Sequence, residues 1–450
     1  MRTISTLKIL GCLLVAAGNS EAAAAQYSWK AGVATVDITP RESIWLAGYG
    51  MRTKPSEGVL RNIYVKALAL QDESGATTVL VTSDLLGFPK EVSDAIAEKA
   101  RVKYGLPRDR LALNSSHTHS APVVGNMARP IYAMQPHDEE VVRQYTARLI
   151  DQVVGAVGTA VRNLVPAEVS FAQGFAGFAV NRRRAVMSRS LPGPVDHDVP
   201  VLAVKGNDGR LRAIVFGYAC HNTVLADYVI NGDYAGFAQD ILEREHAGAT
   251  AMFVEDCGAD ANPLPRRSVE LARKYGEILA AAVDEVVRGK MRPQSGPVRA
   301  AFQLVDIPFQ TPPSREELQR RLDDKNAGIV RHARYMLGIY EKQGKLPDHY
   351  PYPIQVWQFG PGLKWIILGG EVVVDYSLRL KQEYGWDDTW VAGYSNDVFA
   401  YIPSLRVLKE GGYEGATAMI GYGQPGPFAP PVEEVIVKQV ADLMHRTSVQ

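Results

Sequence analysis

"RLALNSSHTHSAP", residues 110–122, joins a short apolar run to a polar loop in which two histidines stand one residue apart. Leu111 to Leu113 read as a buried strand, and the stretch around His117 and His119 reads as the loop into which that strand empties. "ATTVLVTSDLLGF" (76–88) has the same form, a β-branched run ending in Ser83-Asp84, and residues 91–104 between the two carry a helical pattern. Strand, helix, strand and polar loop in that order predict an α/β fold. The alternation continues. An amphipathic helix is expected from about Asp138 to Asn163, and "VPVLAVKGNDGRLRAIVFGYACHN" (199–222) reads as two strands around a Gly-Asn-Asp-Gly turn. "GFAQDILEREH" (236–246) and 268–288 read as helices, with "ATAMFVEDCGADANP" (249–263) a further strand-to-loop between them. "RPQSGP" (292–297) is the candidate internal boundary. Beyond it come a strand, a helical segment near 315–345, and the strands "KWIILGG" and "DTWVAGY".

The balance of 49 basic and 49 acidic residues leaves no footprint for nucleic acid. Arg2 and Lys8, the apolar run Ile9–Ala17 and the small residues of Glu21–Ala25 read as a signal peptide over 1–25, hence an exported protein, periplasmic or secreted. "ILGC" (9–12) only loosely resembles a lipoprotein site. No later run is long and uncharged enough to span a bilayer. Cys220 and Cys257 follow that leader and could pair in an oxidising compartment.

Six strand ends empty into polar loops: Ser83-Asp84, His117-Thr118-His119, His221-Asn222, Asp256 to Asn262, Glu371 and Asn396-Asp397. In α/β sheets such ends are where sites are built. A His-x-His pair brings both rings to one point only if the backbone turns there; otherwise it is a hydrogen-bonded loop. His221 follows the apolar run "IVFGYAC", where a buried histidine needs a partner, and Glu371 lies between "WIILGG" and "VVV", where an unpaired carboxylate is costly. His, His and Glu form a common ligand set for catalytic zinc. The chain has no H-E-x-x-H and no G-x-S-x-G. "GYGQPG" (421–426) matches a phosphate-loop pattern by letters only, since Pro425 forbids the helix that must follow.

"VDITP", "GYG", "SHTHSAP", "VNRR", "CHNTVL" with "NGDYAG", "GGEVVVDYS", "SNDVFAYIP" and "GGYEGAT", in this order, resemble the catalytic domain of the neutral/alkaline (non-lysosomal) ceramidase family over essentially the whole chain after the leader. The resemblance implies an α/β domain of mixed β-sheets flanked by helices, spanning 26–450, and a Zn2+-dependent hydrolase that cleaves an amide (N-acyl) bond with a metal-activated water. It implies His117, His221, Glu371 and Tyr401 as metal ligands and His119 as the acid/base that protonates the leaving group. Tyr413 would hold the developing oxyanion, and Arg182 would position the substrate. Glu371 or Asp84 would share the water's proton. The implied partner is a lipid or small-molecule substrate with an acyl bond.

Three departures stand beside it. Ala261 in "CGADANP" occupies the place of a family serine long regarded as a nucleophile. No segment matches the family's immunoglobulin-like C-terminal domain, and no contiguous apolar element stands out to grip long acyl chains. The alternatives are therefore a zinc hydrolase of another amide or ester, such as an acylated sugar, and a binding protein that kept the fold without turnover.

Overall fold

The computed structural model describes residues 29–127, 129–183 and 193–448. The expected signal peptide lies outside the described residues. Eight strands make the larger sheet: β1 (Trp29–Asp37), β2 (Tyr64–Gln71), β3 (Thr77–Ser83), β4 (Leu111–Ser115), β5 (Val165–Phe175), β6 (Asp198–Gly206), β7 (Leu211–Tyr218) and β8 (Thr250–Glu255), in the order β8-β7-β6-β5-β1-β2-β3-β4, with Arg292–Pro293 added beside β5. A second sheet runs β9 (Val298–Pro308), β10 (His349–Phe359), β11 (Lys364–Leu368), β12 (Thr389–Ala392). The chain passes from one sheet to the other between Pro293 and Val298, within the stretch read as a boundary.

The two sheets pack face to face over a tryptophan-rich core that joins Trp29, Phe171 and Met252 to Trp357, Trp365 and Trp390. The Trp365 and Trp390 rings stack with centroids 4.1 Å apart. Helices α1 (Lys90–Tyr104), α2 (Pro136–Arg162), α3 (Asp233–Glu245) and α4 (Val269–Arg288) cover the outer face of the larger sheet through Ile96, Leu149, Phe237 and Leu279. The segment read as one helix near 315–345 is two, Arg315–Arg320 and α5 (Ala327–Gln343), because Asn326 caps the second and breaks the first away from it. Farther along are α6 (Val374–Tyr384), α7 (Ala418–Tyr422) and α8 (Val432–Thr447), and Leu380 of α6 and Ile436 of α8 cover the second sheet from outside. The fold is thus mixed sheets flanked by helices, as the sequence suggested.

Most strand pairs are antiparallel, but β3–β4, β7–β8 and β11–β12 are parallel. Each parallel pair is joined by a crossover containing a helix, as parallel pairing requires: α1, α3 and α6 respectively. The C-terminal ends of these three pairs are the six polar strand ends read from the sequence, and the fold turns them toward one another. Asn114 stitches them together. Its amide donates to Glu255 O at 3.2 Å, Gly393 O at 2.9 Å and Ser395 Oγ at 3.0 Å, while its own oxygen accepts from Glu255 N at 3.0 Å. β4 and β8 are opposite ends of the larger sheet, so that sheet bends until its edges meet across one side chain.

Candidate metal centre

Directly after β4 the backbone of His117 takes φ +58°, a left-handed turn that costs a non-glycine residue strain. That turn decides the question posed by the His-x-His pair. It brings the His117 and His119 rings to 4.9 Å between centroids, and His221, leaving β7, to 5.0 Å from His117. One ring nitrogen from each of His117, His119 and His221 lies within 4.8 Å of the others, so the three form a buried group able to hold a metal ion.

Glu371 closes the cluster from the segment that follows β11 of the second sheet. It opens a two-residue parallel ladder in which it faces Tyr401 directly. Its Oε2 lies 3.2 Å from His117 Nε2 and 3.0 Å from His221 Nε2, and Tyr401 Oη lies 3.3 Å from the same His221 nitrogen. His117 Nδ1 lies 2.7 Å from the carbonyl of Leu86, and His221 Nδ1 lies 2.8 Å from that of Gly258. A carbonyl cannot donate, so both Nδ1 atoms carry a proton, and in the neutral rings both Nε2 atoms present lone pairs. Two lone pairs therefore converge on a carboxylate oxygen with no proton between them. Burial, reinforced by the Arg182 guanidinium, pushes His221 down to about 4, which keeps it neutral at pH 7. Such a convergence of electron pairs is repulsive unless a cation occupies it, and this nitrogen and oxygen set suits zinc. The residues fit a metal.

His119 differs from the other two histidines. Both its ring nitrogens lack a hydrogen-bond partner among the described residues, although the residue is buried. Its ring is held by packing: Tyr49 lies 4.7 Å away between centroids, and a Cβ on Gly48 would come within 2.4 Å of it. Burial and then the His117 imidazole keep its pKa well below the ordinary histidine value.

A cavity of about 480 Å³ opens above His117, His119, Glu371 and Tyr401. Its apolar wall is built from Met51, Leu86, Ile131, Ile329 and Ile420, which lie far apart in the chain. Tyr413, half exposed, stands at the rim as the first residue of a single π-helical turn, with its ring 5.3 Å from that of Tyr401. Arg182 Nε donates to Glu414 at 2.7 Å and Nη2 to Tyr401 Oη at 3.1 Å, so it braces the tyrosine behind the cavity.

Three of the six strand ends do other work. Asp84 is bound by Arg61 at 3.0 Å and accepts from Tyr64 N and Gln239, so it is engaged in an ion pair away from the cavity and has no free oxygen to share a proton there. Glu255 accepts from Asn222, whose amide also donates to the carbonyl of Ser116 beside His117. Asn396 secures Leu113. Ala261 offers the site no hydroxyl; its carbonyl accepts from His221 N. Cys220 and Cys257 are buried and free. The "GYGQPG" stretch, read as loop, begins on the last turn of α7, and its Tyr422 donates a hydrogen bond to Glu371 Oε1. Tyr422 and Glu414 were not singled out from the sequence, because nothing in their local pattern separates them from ordinary core and surface residues.

Comparison with known proteins gives one consistent result. The family model for the neutral/alkaline non-lysosomal ceramidase N-terminal region matches residues 29–311. That segment contains His117, His119, Arg182 and His221, whereas Glu371, Tyr401 and Tyr413 lie beyond it. The neutral ceramidase of Mycobacterium tuberculosis is 24% identical over 220 residues, 45% of this chain and 34% of the relative. That of Drosophila melanogaster is 21% identical over 236 residues, 49% of this chain and 32% of the relative. The aligned part thus spans about a third of these relatives' length. The crystal structure of the neutral ceramidase from Pseudomonas aeruginosa superposes with a TM-score of 0.73 at 18% identity, covering 94% of this chain and 76% of that one.

Proposed function

The chain belongs to the neutral/alkaline non-lysosomal ceramidase family, and from that membership and the geometry above we propose that it is an exported, zinc-dependent hydrolase of an N-acyl amide bond. The observation that carries the reading is the convergence of His117 Nε2, His221 Nε2 and Glu371 Oε2 with no proton to share. These three, with Tyr401 Oη, are the proposed ligands. A bound zinc ion would polarise the acyl carbonyl and make water acidic near neutral pH.

The protein side of the reaction then divides as follows. His119 is neutral and unpartnered, so a ring nitrogen of His119 takes up a proton from the attacking water and passes it to the leaving nitrogen. Such proton transfer is worth about 10²–10⁴-fold. Tyr413 donates from the rim to the oxygen that gains charge. Arg182 keeps Tyr401 oriented and, in this reading, meets the polar head of the substrate. The apolar wall from Met51 to Ile420 takes the acyl chain. Ala261 is compatible with this scheme, since no acyl-enzyme on a serine is required. The domain is taken as 26–450 behind a cleaved leader; no helix among the described residues is long and apolar enough to cross a membrane.

The test is hydrolysis of a fluorescent short-chain ceramide by the purified protein, with release of free fatty acid measured beside the matched ester. Release from the amide supports the proposal. Metal uptake with turnover of the ester alone, or of other acyl conjugates, moves the assignment to a different substrate. Metal uptake with no turnover of any of them leaves a binding protein.

A further inference from the structure

The two oxygens of Glu371 have different surroundings. Oε2 faces both histidine nitrogens, at 3.0 and 3.2 Å, while Oε1 accepts a hydrogen bond from the hydroxyl of Tyr422. Tyr422 is held from behind. Gly423, which follows it, takes φ +69° and closes α7, and a Cβ there would come within 2.9 Å of the Tyr335 ring on α5. Gln424 then donates to Phe399 O at 3.1 Å and offers its carbonyl to His332 at 2.8 Å. Phe399 lies two residues before Tyr401, so the segment carrying Tyr422 is tied to the strand carrying a proposed ligand.

A carboxylate free to rotate can offer a cation one oxygen or both. One whose second oxygen is already occupied by a donor offers only the first. We propose that Tyr422 is a positioning residue of the metal centre: its hydroxyl pins Glu371 so that Oε2 alone is presented to the ion and Oε1 is kept out of the ligand shell. The proposal rests on the metal-site reading above. Groups that orient ligands from outside the ligand shell typically govern metal affinity by about 10–100-fold. A phenylalanine keeps the ring and its packing and removes only the donor.

The test compares wild type, Tyr422→Phe and Tyr350→Phe as full chains. Tyr350 is the control because its hydroxyl also donates to a buried carboxylate in the same half of the molecule, Asp397 at 2.7 Å, which is not a proposed metal ligand. Zinc affinity is measured by chelator competition and the ligand shell by the visible spectrum of the cobalt-substituted protein. Tyr422→Phe is expected to bind zinc about 10–100-fold more weakly. It is also expected to show weaker cobalt d–d absorption, as a second carboxylate oxygen joins the shell, and Tyr350→Phe is expected to match wild type in both. Wild-type affinity and spectrum in Tyr422→Phe would overturn the inference and leave the metal site standing. Equal weakening in both variants would also overturn it, since any lost buried hydrogen bond would then suffice. Wild type that takes up neither ion would overturn the metal site and this inference together.

Discussion

The two sheets supply the candidate centre in different ways. The larger one delivers nitrogens. His117 and His221 each have Nδ1 fixed by a main-chain carbonyl, Leu86 O and Gly258 O, so their orientation and tautomer are set by backbone. The segments that follow β11 and β12 of the smaller one deliver oxygens. Glu371 is held by the Tyr422 hydroxyl, and Tyr401 by Arg182, which is in turn held by Glu414, so their orientation is set by other side chains. A backbone brace cannot be removed by a point substitution, whereas a side-chain brace can. Substituting either proposed histidine ligand should therefore abolish the centre, while changes on the oxygen side should tune it.

The largest expected effect is that of His221→Ala, which removes a braced nitrogen and leaves Glu371 facing a void. Amide hydrolysis should fall by at least ~10³-fold, to the level of the metal-stripped wild type, because the ion's contribution is lost with its ligand. Residual activity that chelators still abolish would show that the remaining groups hold the ion without it. His119→Ala should be smaller and of another kind. Metal content should stay at the wild-type level while kcat drops by about 10²–10⁴-fold. Loss of metal in this variant would make His119 a ligand and break the distinction between braced and unbraced histidines. On the oxygen side, Tyr413→Phe should lower kcat by about 10²-fold with KM changed little, as for loss of one oxyanion donor. An effect on KM alone would place Tyr413 in binding rather than in charge stabilisation.

The smallest effect concerns the support of the oxygen side and is read in stability. Burial pushes Asp397 up to about 7. The folded protein thus keeps a proton that the unfolded chain releases near pH 4. Because the folded pKa lies above the unfolded one, this group's contribution is full below about pH 4 and is lost as pH rises to about 7. Asp397→Asn does not titrate, so its stability relative to wild type should grow across that interval, by on the order of 3 kcal/mol. Urea unfolding of both proteins at pH 4.5 and 7.5 checks this. A difference that does not change with pH would contradict it.

Which parts were legible in the sequence follows from the same division. The α/β alternation and the histidines at strand ends could be read because periodicity and position carry that information: β3, β4, β7, β8, β11 and β12 all empty where the pattern changes from apolar to polar. The left-handed turn at His117 was not readable, since no glycine or asparagine marks it. Asp84 looked like the others and proved to be the partner of Arg61, a residue brought to it by loop geometry that no local signal encodes. The apolar wall of the cavity was invisible because Met51, Ile131, Ile329 and Ile420 share no element. Tyr422 was hidden inside a stretch set aside for its proline, and the link between Gln424 and Phe399 that positions it is purely tertiary.

The central claim is that a cation belongs between His117, His221 and Glu371. The direct measurement is elemental analysis of the purified protein, before and after chelation and readdition of zinc, beside His117→Ala. About one zinc ion per chain in the wild type, removed by chelator, restored on readdition and missing from the variant, is the expected result. A wild type that neither retains nor takes up metal, or a variant that holds as much as the wild type, would contradict it.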